Sequence, residues 1–123
     1  MISSQMLKGT LEGCVLAVIS KKATYGYEIS EQLTGYGFGK IAEGTIYPLL
    51  LRLEKNDLVR ATYRASEIGP KRKYYELTEK GIAALKEFWN SYCELSKAVN
   101  ALMQDVQGGM QGEQANEAFT EGE

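Results

Sequence analysis

The sequence predicts a mostly α-helical fold with one small β-hairpin, and three observations carry that prediction. Apolar residues recur at spacings of three and four in four separate stretches, the mark of one-sided helices. Two short segments rich in β-formers, 58–65 and 72–77, flank the turn-forming run Ser66-Glu67-Ile68-Gly69-Pro70-Lys71. The chain has 123 residues, 44% hydrophobic and 24% charged, which suits one globular domain and is short for two.

Residues 5–20 place Leu7, Leu11, Val15 and Val18 on one helical face. Gly9 and Gly13 weaken that helix relative to alanine, so a neighbouring element is expected to approach the backbone there. Thr24 is placed to cap a second helix over 25–34, in which Tyr25, Ile29 and Leu33 recur every four residues. Gly35-Tyr36-Gly37-Phe38-Gly39 then breaks it. With Lys40 the glycine run has the look of a phosphate loop, but such loops follow a strand and this one follows a helix, so it reads as a flexible connection.

A third helix over 43–56 has Ile46, Leu49, Leu50 and Leu53 as its apolar face. Pro48 is tolerable near the first turn, where its missing N–H has no good intrahelical partner. At 100° per residue Gly44, Pro48, Leu51 and Lys55 fall opposite the core, flanked by Thr45 and Arg52 on one side and Tyr47 on the other. Three helices followed by a hairpin make the order of a winged helix-turn-helix domain, assigned to residues 1–77.

Thr78 can cap a long helix over 78–106, along which Ile82, Leu85, Trp89, Tyr92, Ser96, Val99, Met103 and Val106 alternate at three and four. Phe88, Leu95 and Leu102 widen this stripe beyond what a solvent-facing helix carries. The winged-helix body is expected to cover one side of it and a second copy of the chain the other, with Ile82, Leu85, Phe88, Leu95, Val99 and Leu102 as dimer contacts. Residues 107–123 lack periodicity and read as a disordered acidic tail.

The net charge of −2 conceals a gradient, because Asp105, Glu113, Glu117, Glu121 and Glu123 have no cation among them. Residues 1–104 then hold 14 basic and 11 acidic side chains, a net +3. Arg60, Arg64, Lys71, Arg72, Lys73 and Lys80 gather within 60–80, which is either a patch for a polyanion or a solvated hairpin face. Arg72 and Lys73 alternate on a strand and so point to opposite faces, at least one of them towards phosphates. Tyr75, with Leu77 on its side, is expected in the core. Tyr47, at the edge of an apolar face, suits burial or a phosphate or base-edge contact equally, and the Thr45 methyl suits thymine.

The chain contains no histidine, and Cys14 and Cys93 lie 79 residues apart, which removes histidine-based triads and the common zinc sites. No catalysis, cofactor or metal is expected. Both cysteines read as reduced, buried apolar residues. A basic-then-apolar leader is lacking, as is any run of the roughly 18 apolar residues a membrane span needs, so a cytoplasmic protein is expected.

Several motifs resemble those of the PadR-like transcriptional regulators, in particular short members that end in one long helix. They are Lys8-Gly9-Thr10-Leu11-Glu12, Tyr25-Gly26-Tyr27-Glu28-Ile29, Glu43-Gly44-Thr45-Ile46-Tyr47-Pro48-Leu49-Leu50-Leu51-Arg52-Leu53-Glu54, and Gly69-Pro70-Lys71-Arg72-Lys73-Tyr74-Tyr75-Glu76-Leu77-Thr78 with Gly81, spanning about residues 6–82. The resemblance implies a homodimeric repressor of double-stranded DNA. Its third helix would enter a major groove, its wing would touch the flanking backbone and its last helix would dimerise. The candidate DNA-contacting set is Tyr25, Gly44, Thr45, Tyr47, Pro48, Arg52, Lys71, Arg72 and Lys73. Short relatives also accept planar aromatic effectors at the dimer interface, so Trp89 and Tyr92 are read either as such a slot or as plain dimer core. Two residues depart from the family pattern: Leu51 stands where a polar or basic residue is usual, and Gly13 stands among bulky apolar positions, which is expected to loosen the first helix against the last. The rival from another class is a winged-helix module that binds proteins and not DNA, which the net negative charge would suit.

Overall fold

The computed structural model describes residues 2–109. The first stretch forms two helices and not one: α1 (Ser4–Lys8) closes at Gly9, and α2 (Leu11–Lys21) starts afresh after Thr10. Ser3 caps α1 by accepting from the Met6 N–H, and Thr10 N–H donates back to the Leu7 carbonyl at 2.9 Å. Nothing comes within 4 Å of where a Gly9 side chain would start, so that glycine serves the break and no close approach. Gly13 does receive a neighbour. A Cβ built there would lie 2.2 Å from Phe88 Cγ, so the missing side chain seats a phenyl ring and tightens the first helix against the last, opposite to the loosening expected.

Helix α3 (Gly26–Leu33) has Tyr25 at its N-cap, and Thr24 does different work from the capping expected of it. Thr24 is fully buried and bridges Tyr75, its N–H donating to the Tyr75 carbonyl at 3.1 Å and its own carbonyl accepting from the Tyr75 N–H at 2.7 Å. Its hydroxyl donates to the Glu28 carboxylate, which satisfies the buried polar group. The start of α3 is thereby fastened to the hairpin.

Beyond α3 the glycine run does not simply break the helix. Residues Thr34–Phe38 form one wide π-type turn, ended by Gly37 and Gly39 at φ +104° and +79°. Thr34 Oγ1 lies within bonding distance of the Ser30 and Gly39 carbonyls, and Ser30 Oγ donates to the Ile41 carbonyl at 2.8 Å. The connection expected to be flexible is therefore a hydrogen-bonded turn.

Helix α4 (Glu43–Lys55) buries Ile46, Leu49, Leu50 and Leu53 as the periodicity requires. Pro48 is its sixth residue, past the first turn. The carbonyl it leaves without a donor belongs to Gly44 on the exposed face, where solvent can satisfy it. Strands β1 (Val59–Arg64) and β2 (Arg72–Leu77) pair antiparallel, from Val59 opposite Leu77 to Arg64 opposite Arg72. Val15, Ile19, Ile29, Leu33, Ile46, Leu50 and Leu53 form the centre of the core, joined by Val59 and Tyr75 from the hairpin.

One corner ties the elements together. Asp57 turns the chain with φ +61°, and Leu58 N–H donates to the Leu53 carbonyl. Thr78 N–H donates to the Leu58 carbonyl at 3.1 Å, and the Thr78 hydroxyl donates to the Asp57 carbonyl and accepts from the Gly81 N–H. Gly81 is buried so tightly that an added Cβ would stand 2.0 Å from the Leu58 carbonyl oxygen.

Helix α5 (Glu79–Gly109) follows, capped by Thr78 as expected but continuing through residues 107–109, where the tail was expected to begin. Two glycines near a helix end cost at most about 1 kcal/mol each, too little to stop the ladder earlier. Residues 110–123, the rest of that expected tail, lie outside the described residues. The chain divides into two compact units at the boundary between Phe88 and Trp89. Ala84 and Leu85 of the first unit pack against its core. Cys14 is half-buried there, and burial pushes its thiol up, whereas Cys93 is exposed and not the buried apolar residue expected. Among the described residues no helix is long and apolar enough to cross a membrane.

Candidate nucleic-acid interface

The outer face of α4 stays uncovered. Gly44, Thr45, Tyr47, Pro48, Leu51, Arg52 and Lys55 are all exposed, because the opposite face takes every apolar contact the body offers. The β-hairpin stands beside this face as a wing. Between them lies a cleft of about 370 Å³ lined by Tyr25, Gly26, Tyr47, Leu51, Lys71, Arg72, Lys73 and Tyr75. A roomier cleft of about 570 Å³, lined by Lys21, Lys22, Gln32, Gly35 and Tyr36, shares no residue with it.

Every cation of the wing's second strand is held by a partner from the helices. Arg72 stacks its guanidinium 4.6 Å above the Tyr25 ring and donates from Nη1 to Tyr25 Oη at 3.0 Å. Tyr25 in turn lies against Tyr74, ring centroids 5.2 Å apart, and Arg64 covers the Tyr74 ring at 4.5 Å. Two arginines facing each other across the hairpin are thus kept apart by two tyrosines. Such stacking lowers the freedom an arginine gives up when it meets a phosphate.

Lys73 points the other way along the strand, as alternation requires, and donates to Glu54 Oε1 of α4 at 2.8 Å. The carboxylate hydrogen bond holds the ammonium above the ordinary lysine value. Lys73 therefore clasps the wing to α4, while Arg72 and the exposed Lys71 remain the wing's outward cations. Tyr75 is 3% exposed, as expected of a core residue, and burial pushes its hydroxyl up. Tyr47 is not buried: its ring occupies the space where a Gly26 side chain would begin, 2.7 Å from the Cβ position, and the residue is 46% exposed.

The candidate set thus converges, with Tyr25, Tyr47, Lys71, Arg72 and Lys73 on one cleft and Gly44, Thr45, Pro48 and Arg52 on the adjoining helix face. Glu54, Tyr74 and Arg64 are additional members. Arg64 and Tyr74 were within reach of the register, since a hairpin closed over 65–71 sets Arg64 opposite Arg72. Nothing local pairs Glu54 with Lys73, 19 residues on.

The other candidate group lies on α5. Leu85 is half-buried on its own core and Phe88 on Gly13, while Ile82, Leu95, Val99 and Leu102 are exposed. Trp89 and Tyr92 stack on each other with centroids 6.0 Å apart and planes 20° from parallel, which makes one apolar slab within the chain.

The core helices α2, α3 and α4, a paired wing and an uncovered helix face beside a cationic cleft define a winged-helix DNA-binding protein. The sequence model of the transcriptional regulator PadR-like family matches residues 15–87, and the chain belongs to that family. It is similar to the crystal structure of a PadR-like transcriptional regulator from Bacillus cereus, 53% identical, with a TM-score of 0.75 over 82% of this chain and 98% of that one. A Streptococcus transcriptional regulator is 46% identical, with a TM-score of 0.72 over 81% of this chain and 98% of the other. An uncharacterized protein of Lysinibacillus sphaericus is 34% identical over 110 residues, 87% of this chain and all of that protein. The protein is a transcriptional regulator and not an enzyme.

Proposed function

We propose that the protein is a cytoplasmic repressor that binds a pseudo-palindromic operator as a homodimer. In this reading α4 lies in the major groove, the wing rests on the flanking backbone, and the exposed stripe of α5 joins two copies. The observation that carries it is the α4 face, exposed from Gly44 to Lys55 and bordered by wing cations whose positions are already fixed by Tyr25 and Tyr74. Exposure of Leu95, Val99 and Leu102 supports the dimer, since a stripe of that size is uncovered in the single chain. The Trp89–Tyr92 slab supports a planar aromatic effector, which would stack on it and shift the spacing of the two recognition helices by its differential affinity for the two spacings.

Selection from random duplexes tests the reading. It should return pseudo-palindromes with half-sites about 34 Å apart, one helical turn, or a small multiple of it. Replacing Lys71 and Arg72 with Ala should weaken all sequences alike and make the salt dependence shallower by about one to two units. Asymmetric or no enriched sites would refute the operator. Affinity for protein partners with none for duplex DNA would mark an interaction module instead.

A further inference from the structure

We propose that the protein selects its operator through thymine 5-methyl groups, received by an apolar strip of Thr45, Pro48 and Leu51 on the outer face of α4. The inference deepens the operator reading and rests on it. Bidentate, base-specific readout in a major groove is the work of amide, guanidinium, ammonium and carboxylate side chains, while a Thr hydroxyl pairs with donor and acceptor edges alike and so discriminates little. The middle of this face has none of the former and only the Thr45 hydroxyl of the latter. Gly44, Thr45, Pro48 and Leu51 are all exposed, and the basic residues Arg52 and Lys55 come only in the last turn.

Leu51 carries the argument. It is 57% exposed on a helix whose other leucines, Leu49, Leu50 and Leu53, are buried, so it is apolar area that the fold itself leaves uncovered. It also forms part of the cleft whose other side presents Lys71 and Arg72. An apolar floor beside a cationic wall matches a groove edge, where a methyl group projects next to a phosphate strand. An apolar protein segment in the same place would leave those cations facing no anion, so charge complementarity commits the occupant to duplex DNA. Of the groups an A·T pair shows in the major groove, Pro48, Leu51 and the Thr45 methyl can use only the thymine methyl, and cytosine lacks it.

The test takes the tightest duplex from the selection and replaces its half-site thymines with deoxyuridine, which removes the methyl and keeps the pairing. Affinity should fall about fourfold for each methyl contacted. The salt dependence should not change, because no phosphate contact is lost. Leu51→Ala, checked for fold by circular dichroism, should bind the thymine duplex more weakly and lose most of the discrimination, so that the two changes are strongly non-additive. Equal wild-type affinity for the two duplexes overturns the proposal, as does full discrimination surviving in both Leu51→Ala and Pro48→Ala. Failure to bind even the thymine duplex would remove the operator reading as well, an outcome distinct from binding both duplexes equally.

Discussion

Ile46, Leu50 and Leu53 in α4 and Leu95, Val99 and Leu102 in α5 share one spacing, four residues and then three. The first three are fully buried, whereas the second are 60%, 48% and 62% exposed. Periodicity decides which side of a helix is apolar and leaves open what covers it. In residues 2–88 the covering comes from the same chain, because five helical segments and a hairpin converge on one core. In residues 89–109 the same spacing leaves Leu95, Val99 and Leu102 exposed in the single chain. In the proposed dimer, burial there would depend on association, and so on protein concentration.

The largest effect that separates the two regions is truncation. A chain ending at Phe88 should fold as a monomer whose thermal midpoint does not move with concentration. One ending at Gly81 loses Ala84, Leu85 and the ring seated on Gly13, and should unfold or aggregate. Scattering and thermal unfolding of both check this, and an unfolded Phe88-terminated chain would break the comparison. A smaller effect is expected from Leu95→Lys with Leu102→Lys, which should yield monomers by sedimentation while the body keeps its fold. A single Leu50→Lys should unfold the body, because a lone buried charge costs several kcal/mol.

Glycine substitutions give the smallest and most discriminating contrast. Gly81→Ala should destabilise by about 3 kcal/mol in urea unfolding, since the obstacle is the Leu58 backbone carbonyl, which cannot swing aside. Gly108→Ala, with nothing within 4 Å, should stabilise by less than about 1 kcal/mol through helix propensity alone. The same change of residue would then have opposite signs in the two regions.

What could be read from the sequence was local. The apolar faces of α2, α3 and α4, the hairpin around Gly69-Pro70 and the Thr78 cap all follow from spacing or turn chemistry within a few residues. The errors came where a distant residue decided a local outcome. Thr24 has the chemistry of an N-cap, but Tyr75 takes its backbone into a bridge and Glu28 its hydroxyl. Gly13 is a poor helix residue whose purpose is visible only once Phe88 arrives from 75 positions away. At the site, the Arg72 and Lys73 alternation was legible, but which of them faces outward was settled by Glu54 and Tyr25 on two other elements.

The corner at Asp57, Leu58, Thr78 and Gly81 has a mechanical consequence. The end of α4, the root of β1 and the first turn of α5 are hydrogen-bonded or packed onto the same two peptide units. It joins three elements as a clamp would, so a twist applied to the first turn of α5 should be passed to the end of α4 and to the base of the wing. The wing tip at 65–71 lies beyond the end of the hairpin ladder and outside this clamp. Chain-length changes between natural variants should accumulate at that tip and be absent from residues 56–58 and 78–81.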